Sequence, residues 1–334
     1  MLPNAPPVSN QTLREYQRAI HQHNDALIND MPKVEMHSIL NINTRLPCKT
    51  LSELKSTYRL LNDLDAGGVD GGMERFFDLY YGGFNVLRDE DDFYRLAMNY
   101  FQKAASMNIR YCEPFFDPQG HTRRGIAFEA MIRGFQRAQV EAAQILGSAM
   151  EHYQQALPYR YTIFGIGLDS LKVDLPPLLF EEVFRRARSD GFKITCHCDI
   201  GGGGGADRID HGLHAVDDPL LLQKVQERDL GMTICPWGYL CYSGEAEIIS
   251  RVRTLYNAGI KMTIGSDDPS YMEDIWLNNS LYLLRKVGDF TNYDFLQLQK
   301  NAIQMCWAPA KIKAAILEEL QHFWARWETQ RPST

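Results

Sequence analysis

The chain has 334 residues, of which 45% are hydrophobic, and it carries a formal net charge of −7. This length can bury the core of one large α/β barrel or of two ordinary domains. No block of Lys and Arg stands out, which argues against nucleic acid as a partner. The N-terminus lacks a basic segment followed by an apolar run, and no stretch of sequence is apolar for long enough to span a bilayer. We therefore expect a cytoplasmic protein without membrane contact.

The seven cysteines are odd in number and irregularly spaced. This pattern favours reduced thiols in the cytosol over a disulfide framework. Two pairs, Cys196 with Cys198 and Cys235 with Cys241, could suggest a zinc site, but neither has the CxxC spacing typical of one. The cysteines are therefore not predicted to bind a metal.

Strands and helices are predicted to alternate along most of the chain. Residues 1–30 form an N-terminal extension with a helix at Leu13–Ile28, and residues 31–334 form a single barrel domain. Short apolar runs predict strands at Lys33–His37, Ile109–Phe116, Tyr161–Leu168, Ile194–Cys196, Arg208–Asp210, Met232–Cys235 and Lys261–Gly265. Longer stretches predict helices at Leu51–Leu64, at Met73–Met107 with a break near Gly82 and Gly83, and at Phe128–Leu146, Pro176–Asp190, Asp218–Arg228 and Glu245–Ala258, with two or three more at the end.

This alternation indicates parallel βα units and therefore an α/β fold. Polar residues directly after the strands favour a (β/α)8 barrel of the TIM type over a doubly wound sheet, although strand spacing alone fits both. Two connections are short for complete βα units, one near Gly147 and one at the five-glycine run Gly201–Gly205. The barrel is accordingly expected to be complete, distorted or lacking one βα unit.

Histidines and aspartates follow several of the predicted strands. They are His37, Asp169, His197, His211, Asp267 and Asp268. Imidazole and carboxylate suit Zn²⁺ or a similar divalent ion, and a catalytic metal needs about three protein ligands plus a position for water. His37, His197 and Asp267 could supply the ligands, and His211 could orient or deprotonate the water. A lone histidine is more often a hydrogen-bonded core residue, and an Asp-Asp-Pro run is also a common turn.

Several sequence motifs together resemble those of a known protein family. They are PKVEMH, HCDI, RIDHG, ICPW and SDDP, together with FFDPQGHTRRGI and GIGLDS. From about Met31 to about Pro309, the chain resembles the adenosine/adenine deaminase family of metal-dependent amidohydrolases, and the last two motifs are similar to its adenine deaminase branch. The resemblance implies hydrolytic deamination at C6 of a small-molecule purine by a water that one zinc ion activates. Adenine, adenosine and related amines remain open as substrates, and the oligomeric state is open too.

The resemblance also implies a role for individual residues. His37, His197 and Asp267 correspond to metal ligands, and His211 corresponds to the catalytic histidine. The implied substrate-binding residues are Gly167, Asp169 and Asp268.

Two positions depart from the family pattern. Ile39 stands where a second metal-binding histidine is expected, and Ile200 stands where the catalytic glutamate is expected. A hydrocarbon side chain neither binds a metal nor donates a proton. Two hypotheses follow: the protein is a purine aminohydrolase with an atypical site, or it is a catalytically impaired or inactive relative that binds a purine or a partner.

Overall fold

The computed structural model describes residues 80–146, 163–168, 181–197, 205–240, 245–269 and 275–330. The predicted helices at Leu13–Ile28 and Leu51–Leu64 and the predicted strand at Lys33–His37 lie outside these residues. Two of the candidate site residues, His37 and Asp169, lie outside them as well.

Five parallel strands form one sheet in the described part of the chain, and their order in the sheet follows their order in the sequence. The strands are β1 (Gly165–Leu168), β2 (Lys193–His197), β3 (Arg208–Asp210), β4 (Gly231–Ile234) and β5 (Met262–Ile264). Each neighbouring pair is parallel. Parallel strands in sequential order are the arrangement found in the wall of an α/β barrel, and they confirm the predicted α/β fold.

Helices precede, connect and follow the strands. Before the sheet come α1 (Glu90–Ser106), α2 (Pro118–Thr122) and α3 (Phe128–Leu146). Between or after the strands come α4 (Glu181–Ser189), α5 (Pro219–Glu227), α6 (Pro236–Leu240), α7 (Glu245–Asn257), α8 (Leu277–Val287), α9 (Asn292–Met305) and α10 (Ala310–Thr329). Among the described helices, none combines the length and the apolar character that crossing a membrane requires.

The core lies where the strands are covered by these helices. Met232 in β4 and Met262 in β5 are fully buried, and they belong to one cluster with Val252, Leu255 and Leu284 from α7 and α8. Strands of a parallel sheet are buried on both faces, so they read as apolar runs without alternation. This explains why the sequence marks β4 and β5 clearly although each is short.

The connection from β2 to β3 is short. Parallel neighbours usually need a crossover of a dozen or more residues, most often a helix, whereas residues 198–207 alone join these strands. The described end of the connection, residues 205–207, contains no helix. The strands are paired nevertheless, with Thr195 beside Arg208 and His197 beside Asp210.

The segment Ile109–Phe116 is not a strand. It is irregular backbone between α1 and α2, although its residues have the composition of a strand. Pro114 has no N–H to donate to a ladder, which disfavours a strand inside a sheet. Side-chain contacts hold the segment instead: Glu113 accepts hydrogen bonds from the Arg208 guanidinium and the Trp307 amide, each at 2.6 Å. The strand prediction is therefore wrong here.

His121 in α2 is the buried histidine of the helical layer formed by α1, α2 and α3. Its ring stacks on Phe84 with the centroids 4.2 Å apart and meets the edge of Phe93 at 5.0 Å. The Arg124 guanidinium donates to its Nδ1 at 2.8 Å. Burial lowers the pKa of His121 from 6.5 to about 4, and the positive charge of Arg124 adds to this.

This burial predicts a pH dependence of stability. Between pH 6.5 and about 4, His121 is protonated in the unfolded chain but neutral in the native protein, so the free energy of unfolding should fall as the pH falls through this range. The full effect is about 3 kcal/mol. Urea unfolding of His121→Leu should show a flatter pH profile, whereas His322→Leu, at an exposed position of α10, should keep the wild-type profile. An unchanged slope in His121→Leu would contradict the assignment.

Candidate active site

The carboxyl ends of β2 to β5 meet at one edge of the sheet, and polar side chains follow each of them. His197 is the last residue of β2, and His211 directly follows β3. Cys235 directly follows β4, and Asp267 and Asp268 come shortly after β5. The parallel pairing therefore brings together residues that are far apart in the sequence.

His211 has a fixed backbone and a fixed ring. Its φ is 65°, in the left-handed region that non-glycine residues rarely adopt, and its amide donates to the Thr233 carbonyl at 2.8 Å. The ring stacks on that of His197 with the centroids 4.7 Å apart and meets the edge of Tyr239 at 5.6 Å. Its Nε2 lies 3.8 Å from Oδ2 of Asp267. Three neighbouring groups thus determine where the imidazole points.

Asp267 and Asp268 form a partly buried carboxyl pair. The Asp267 side chain is 17% exposed, and its φ of 58° is left-handed as well. Burial raises the pKa of Asp267 to about 6, and the nearby Asp210 carboxylate contributes. Burial and the negative charge of Asp267 raise the pKa of Asp268 well above its usual value. The pair therefore holds a proton more tightly than an exposed aspartate does.

Asp210, the last residue of β3, is near enough to Asp267 to raise the pKa of that carboxyl group, and it is tied to other parts of the chain. The Thr195 hydroxyl donates a hydrogen bond to it, and the Arg208 Nε lies 3.8 Å from its Oδ1. The Arg208 guanidinium also pairs with Glu113 at 2.6 Å and lies 4.1 Å from the centre of the Trp307 ring. Burial raises the pKa of Asp210, and the positive charge of Arg208 acts in the opposite direction. This network links β2 and β3 to Glu113 and Trp307.

Cys235 is the residue that the sequence interpretation missed. Its Sγ, one nitrogen of His211 and one carboxylate oxygen of Asp267 all lie within 4.8 Å of one another. The side chain is buried, and burial raises the pKa of its thiol well above the usual value, with the negative charge of Asp267 as the next cause. The signal that could have identified it is its place directly after a strand, which the search for paired cysteines ignored.

The structure describes five of the predicted site residues. His197, His211, Asp267 and Asp268 come together at the end of the sheet. His197 contacts the ring of His211 but is not one of the three donors that lie within 4.8 Å. Gly167 lies in β1, at the same end of the sheet as His197.

Phe115 is a second residue that was not predicted, although its segment FFDPQGHTRRGI was noted. Its ring is 48% exposed, and its centroid lies 5.6 Å from that of His197. A Cβ placed on Gly167 would lie 3.2 Å from the ring. Phe115 thus forms an open aromatic wall next to the histidines.

Comparisons with known proteins agree in one family. The family model described as adenosine deaminase matches residues 18–323. An uncharacterized deaminase of Schizosaccharomyces pombe is 34% identical over 90% of this chain and 97% of its own length. An adenine deaminase of Acinetobacter baylyi is 32% identical over 88% of this chain and 98% of its own length.

Two solved structures are similar to this fold. The crystal structure of adenine deaminase from Arthrobacter aurescens has a TM-score of 0.74 at 26% identity, over 87% of this chain and 95% of that chain. A zinc-bound amidohydrolase from Burkholderia ambifaria has a TM-score of 0.61 at 24% identity, over 81% of this chain and 87% of that chain. The second likeness shows the fold alone.

The partly buried carboxyl pair predicts an unusual stabilising substitution. Because the pKa of Asp268 is raised in the native state, ionising this group opposes folding above pH 4, and Asp268→Asn removes that cost. The metal-free variant should be more stable than the metal-free wild type at pH 8, and the gain should shrink at pH 5. Urea unfolding of both proteins measures this difference.

A matched control separates this effect from a general response to losing a carboxylate. Asp217 is exposed, and Arg251 lowers its pKa, so Asp217→Asn should give no stabilisation at pH 8. A metal-free Asp268→Asn protein that is less stable than wild type at pH 8 would refute the interpretation of the pair.

Proposed function

Because the chain belongs to the adenosine deaminase family, we propose that it removes the amino group of an adenine-type purine by hydrolysis. The observation that carries the proposal is the convergence of His197, His211, Asp267 and Asp268 at one edge of the parallel sheet. Relatives named adenine deaminase match nearly the whole chain, which favours adenine over adenosine as the substrate.

A divalent metal ion fits the donors at this edge. Asp267 offers a carboxylate, His197 and His211 offer imidazoles, and Cys235 offers a thiol, a donor set that suits zinc. Asp210, Asp267 and Asp268 place three carboxyl groups close together here, and a divalent cation would balance the negative charge of this group. We therefore propose zinc, held by Asp267 and His197 and, from the sequence, by His37. When bound, the ion acts as a Lewis acid that activates water near neutral pH.

His211 is proposed to move protons during the reaction. Stacking on His197 and contact with Tyr239 fix its ring, and its Nε2 faces the Asp267 carboxylate at 3.8 Å. An imidazole held in this way can accept a proton from the attacking water at Nε2 and return one to the departing amino group. Ammonia then leaves, and the purine keeps a carbonyl oxygen at the same carbon.

The purine is proposed to lie between Phe115 and Asp268. Phe115 offers an exposed aromatic face, and a flat heterocycle stacks well on such a face. Gly167 carries no side chain, which keeps the space beside the Phe115 ring open. Asp268 lies beside Asp267 at this edge, and its carboxyl group can hydrogen-bond to a nitrogen of the purine ring. From the sequence, Asp169 is proposed to line the same pocket.

A relative that binds a purine with little turnover is the second candidate. Ile39 and Ile200 favour it, because neither can ligate a metal or donate a proton. The names of the close relatives favour the active enzyme. The loss of one acid–base group slows catalysis by about 10²–10⁴-fold, so the two candidates differ in rate and can be separated by measurement.

The proposed role of His211 predicts a loss of turnover. Zinc-supplemented protein should release ammonia from adenine, and His211→Gln should lower kcat by about 10²–10⁴-fold with a small change in KM. His214→Gln is the matched control, because His214 lies three residues away and pairs with Asp217 outside the site. Equal rates for wild type and His211→Gln would remove His211 from the mechanism. An absence of ammonia from both adenine and adenosine would favour the second candidate.

Replacing Ile39 and Ile200 by the residues that the family pattern has at these positions gives a further prediction. Ile39→His should raise zinc affinity, and Ile200→Glu should add little by itself, because a proton donor needs an activated water. The two together should raise kcat by more than the product of their single effects, since groups that act as one catalytic unit are not independent. Zinc titration and ammonia release for all four proteins test this. A double variant no faster than the better single variant would contradict it.

A further inference from the structure

Glu113 ties a segment of irregular backbone to two other parts of the chain. Its side chain is 15% exposed, and Oε2 accepts from the Arg208 guanidinium, itself 9% exposed, at 2.6 Å. Its Oε1 accepts a hydrogen bond from the Trp307 amide at 2.6 Å. Arg208 begins β3, and Trp307 follows shortly after α9. Hydrogen bonds to ionised groups are roughly twice as strong as neutral ones, so this carboxylate restrains the backbone that carries it.

Two aromatic rings near Glu113 fill one face of β1. Gly165 and Gly167 lie on the same face of this strand, because alternate residues of a strand point the same way. A Cβ added to Gly165 would lie 2.6 Å from the Trp307 ring. A Cβ added to Gly167 would lie 3.2 Å from the Phe115 ring. Phe115 comes two residues after Glu113, and the Trp307 amide is bonded to Glu113, so one carboxylate restrains the backbone of both rings.

The Phe115 ring needs such a restraint if a ligand is to stack on it. The ring is 48% exposed, and its centroid lies 5.6 Å from that of His197. Its backbone is irregular and not part of a strand, so no ladder of hydrogen bonds determines its position. A stacking surface favours binding most when it is already in place, because ordering it at the moment of binding costs free energy.

We propose that Glu113 is a positioning residue for the purine: by holding Arg208 and the Trp307 amide, it keeps the Phe115 ring where a flat heterocycle stacks. The inference rests on the proposed function, because the wall that Glu113 positions belongs to the same site. Glu113 does not touch the reacting atoms in this assignment. It affects how tightly the purine binds and leaves proton transfer at His211 unchanged.

Purine binding and turnover, measured side by side, test the proposal. With zinc-supplemented protein, calorimetry gives the Kd of hypoxanthine, which is adenine with an oxygen in place of its amino group, and ammonia release from adenine gives KM and kcat. Phe115→Ala should raise Kd and KM by about tenfold, as the loss of one base–aromatic stack does. Glu113→Gln keeps the size of the side chain and removes its charge. It should raise both constants by about threefold or more, with kcat within about twofold of wild type.

A double variant shows whether Glu113 acts through Phe115. Once the ring is absent, Glu113→Gln should weaken binding no further, so the double variant should bind hypoxanthine like Phe115→Ala alone. Glu319→Gln is the matched control. Glu319 also pairs with a residue of the irregular segment, Arg110, but both of these side chains are about half exposed, and this variant should bind hypoxanthine like wild type.

The stability of each variant is measured by urea unfolding, because Glu113→Gln leaves the buried Arg208 guanidinium without its carboxylate. If that variant does not fold, Glu113→Gln combined with Arg208→Met takes its place. This pair of substitutions removes both charges and keeps an oxygen that can accept from the Trp307 amide. It should weaken hypoxanthine binding in the same way.

The outcomes separate this proposal from the proposed function. Unchanged Kd and KM in the folded variant, or a weakening that adds to that of Phe115→Ala, overturns the positioning role, and ammonia release then still supports the deaminase. A fall in kcat alone also overturns it, because the effect would then reach His211 through Arg208 and Asp210. Hypoxanthine binding with the expected coupling but without ammonia release supports the positioning role and counts against the deaminase. A wild-type protein that binds no purine overturns both.

Discussion

Three neighbouring carboxyl groups, one buried and two partly buried, lie at one edge of the parallel sheet and constrain the residues around them. A buried charge needs a partner or a proton, because the protein interior solvates it poorly. Asp210 has its partner in Arg208, which is itself tied to Glu113. The His211 imidazole lies 3.8 Å from Asp267, and burial is the main reason why the pKa values of Asp267 and Asp268 are raised. Asp210 therefore has a guanidinium as its partner, whereas the basic group beside Asp267 is an imidazole.

The backbone conformation at the site is unusual at two residues. His211 and Asp267 both have positive φ values, a conformation that costs about 1–3 kcal/mol for a residue with a side chain. Such strain persists only where the surroundings determine it, and here the amide of His211 is bonded to the Thr233 carbonyl of the neighbouring strand. The backbone directly after β3 and shortly after β5 therefore holds the imidazole and the carboxylate by means of a strained residue each.

Much of the fold and of the candidate site was predictable from local sequence, and the features that were not predictable share a cause. The strands β2 to β5 and the histidines and aspartates after them were visible because buried parallel strands are short apolar runs with polar ends. Ile109–Phe116 has the same composition, but Pro114 and the contacts of Glu113 prevent strand pairing. The position of Cys235 near its partners was hidden because they come from other strands. The pairing of Glu113 with Arg208 spans 95 residues and was hidden for the same reason.

The short connection between β2 and β3 has a consequence for how the barrel assembles. Closing a loop costs conformational entropy that grows with the logarithm of its length, about 0.6 kcal/mol for each doubling. The segment between the paired residues Thr195 of β2 and Arg208 of β3 is much shorter than the segment between the paired residues Met232 of β4 and Met262 of β5. Of the four described pairs, β2 and β3 therefore have the lowest contact order, and we expect them to join first on the folding pathway. His197 and His211 would then meet before the later strands deliver Asp267, so the chain would form the histidine half of its site ahead of the acidic half.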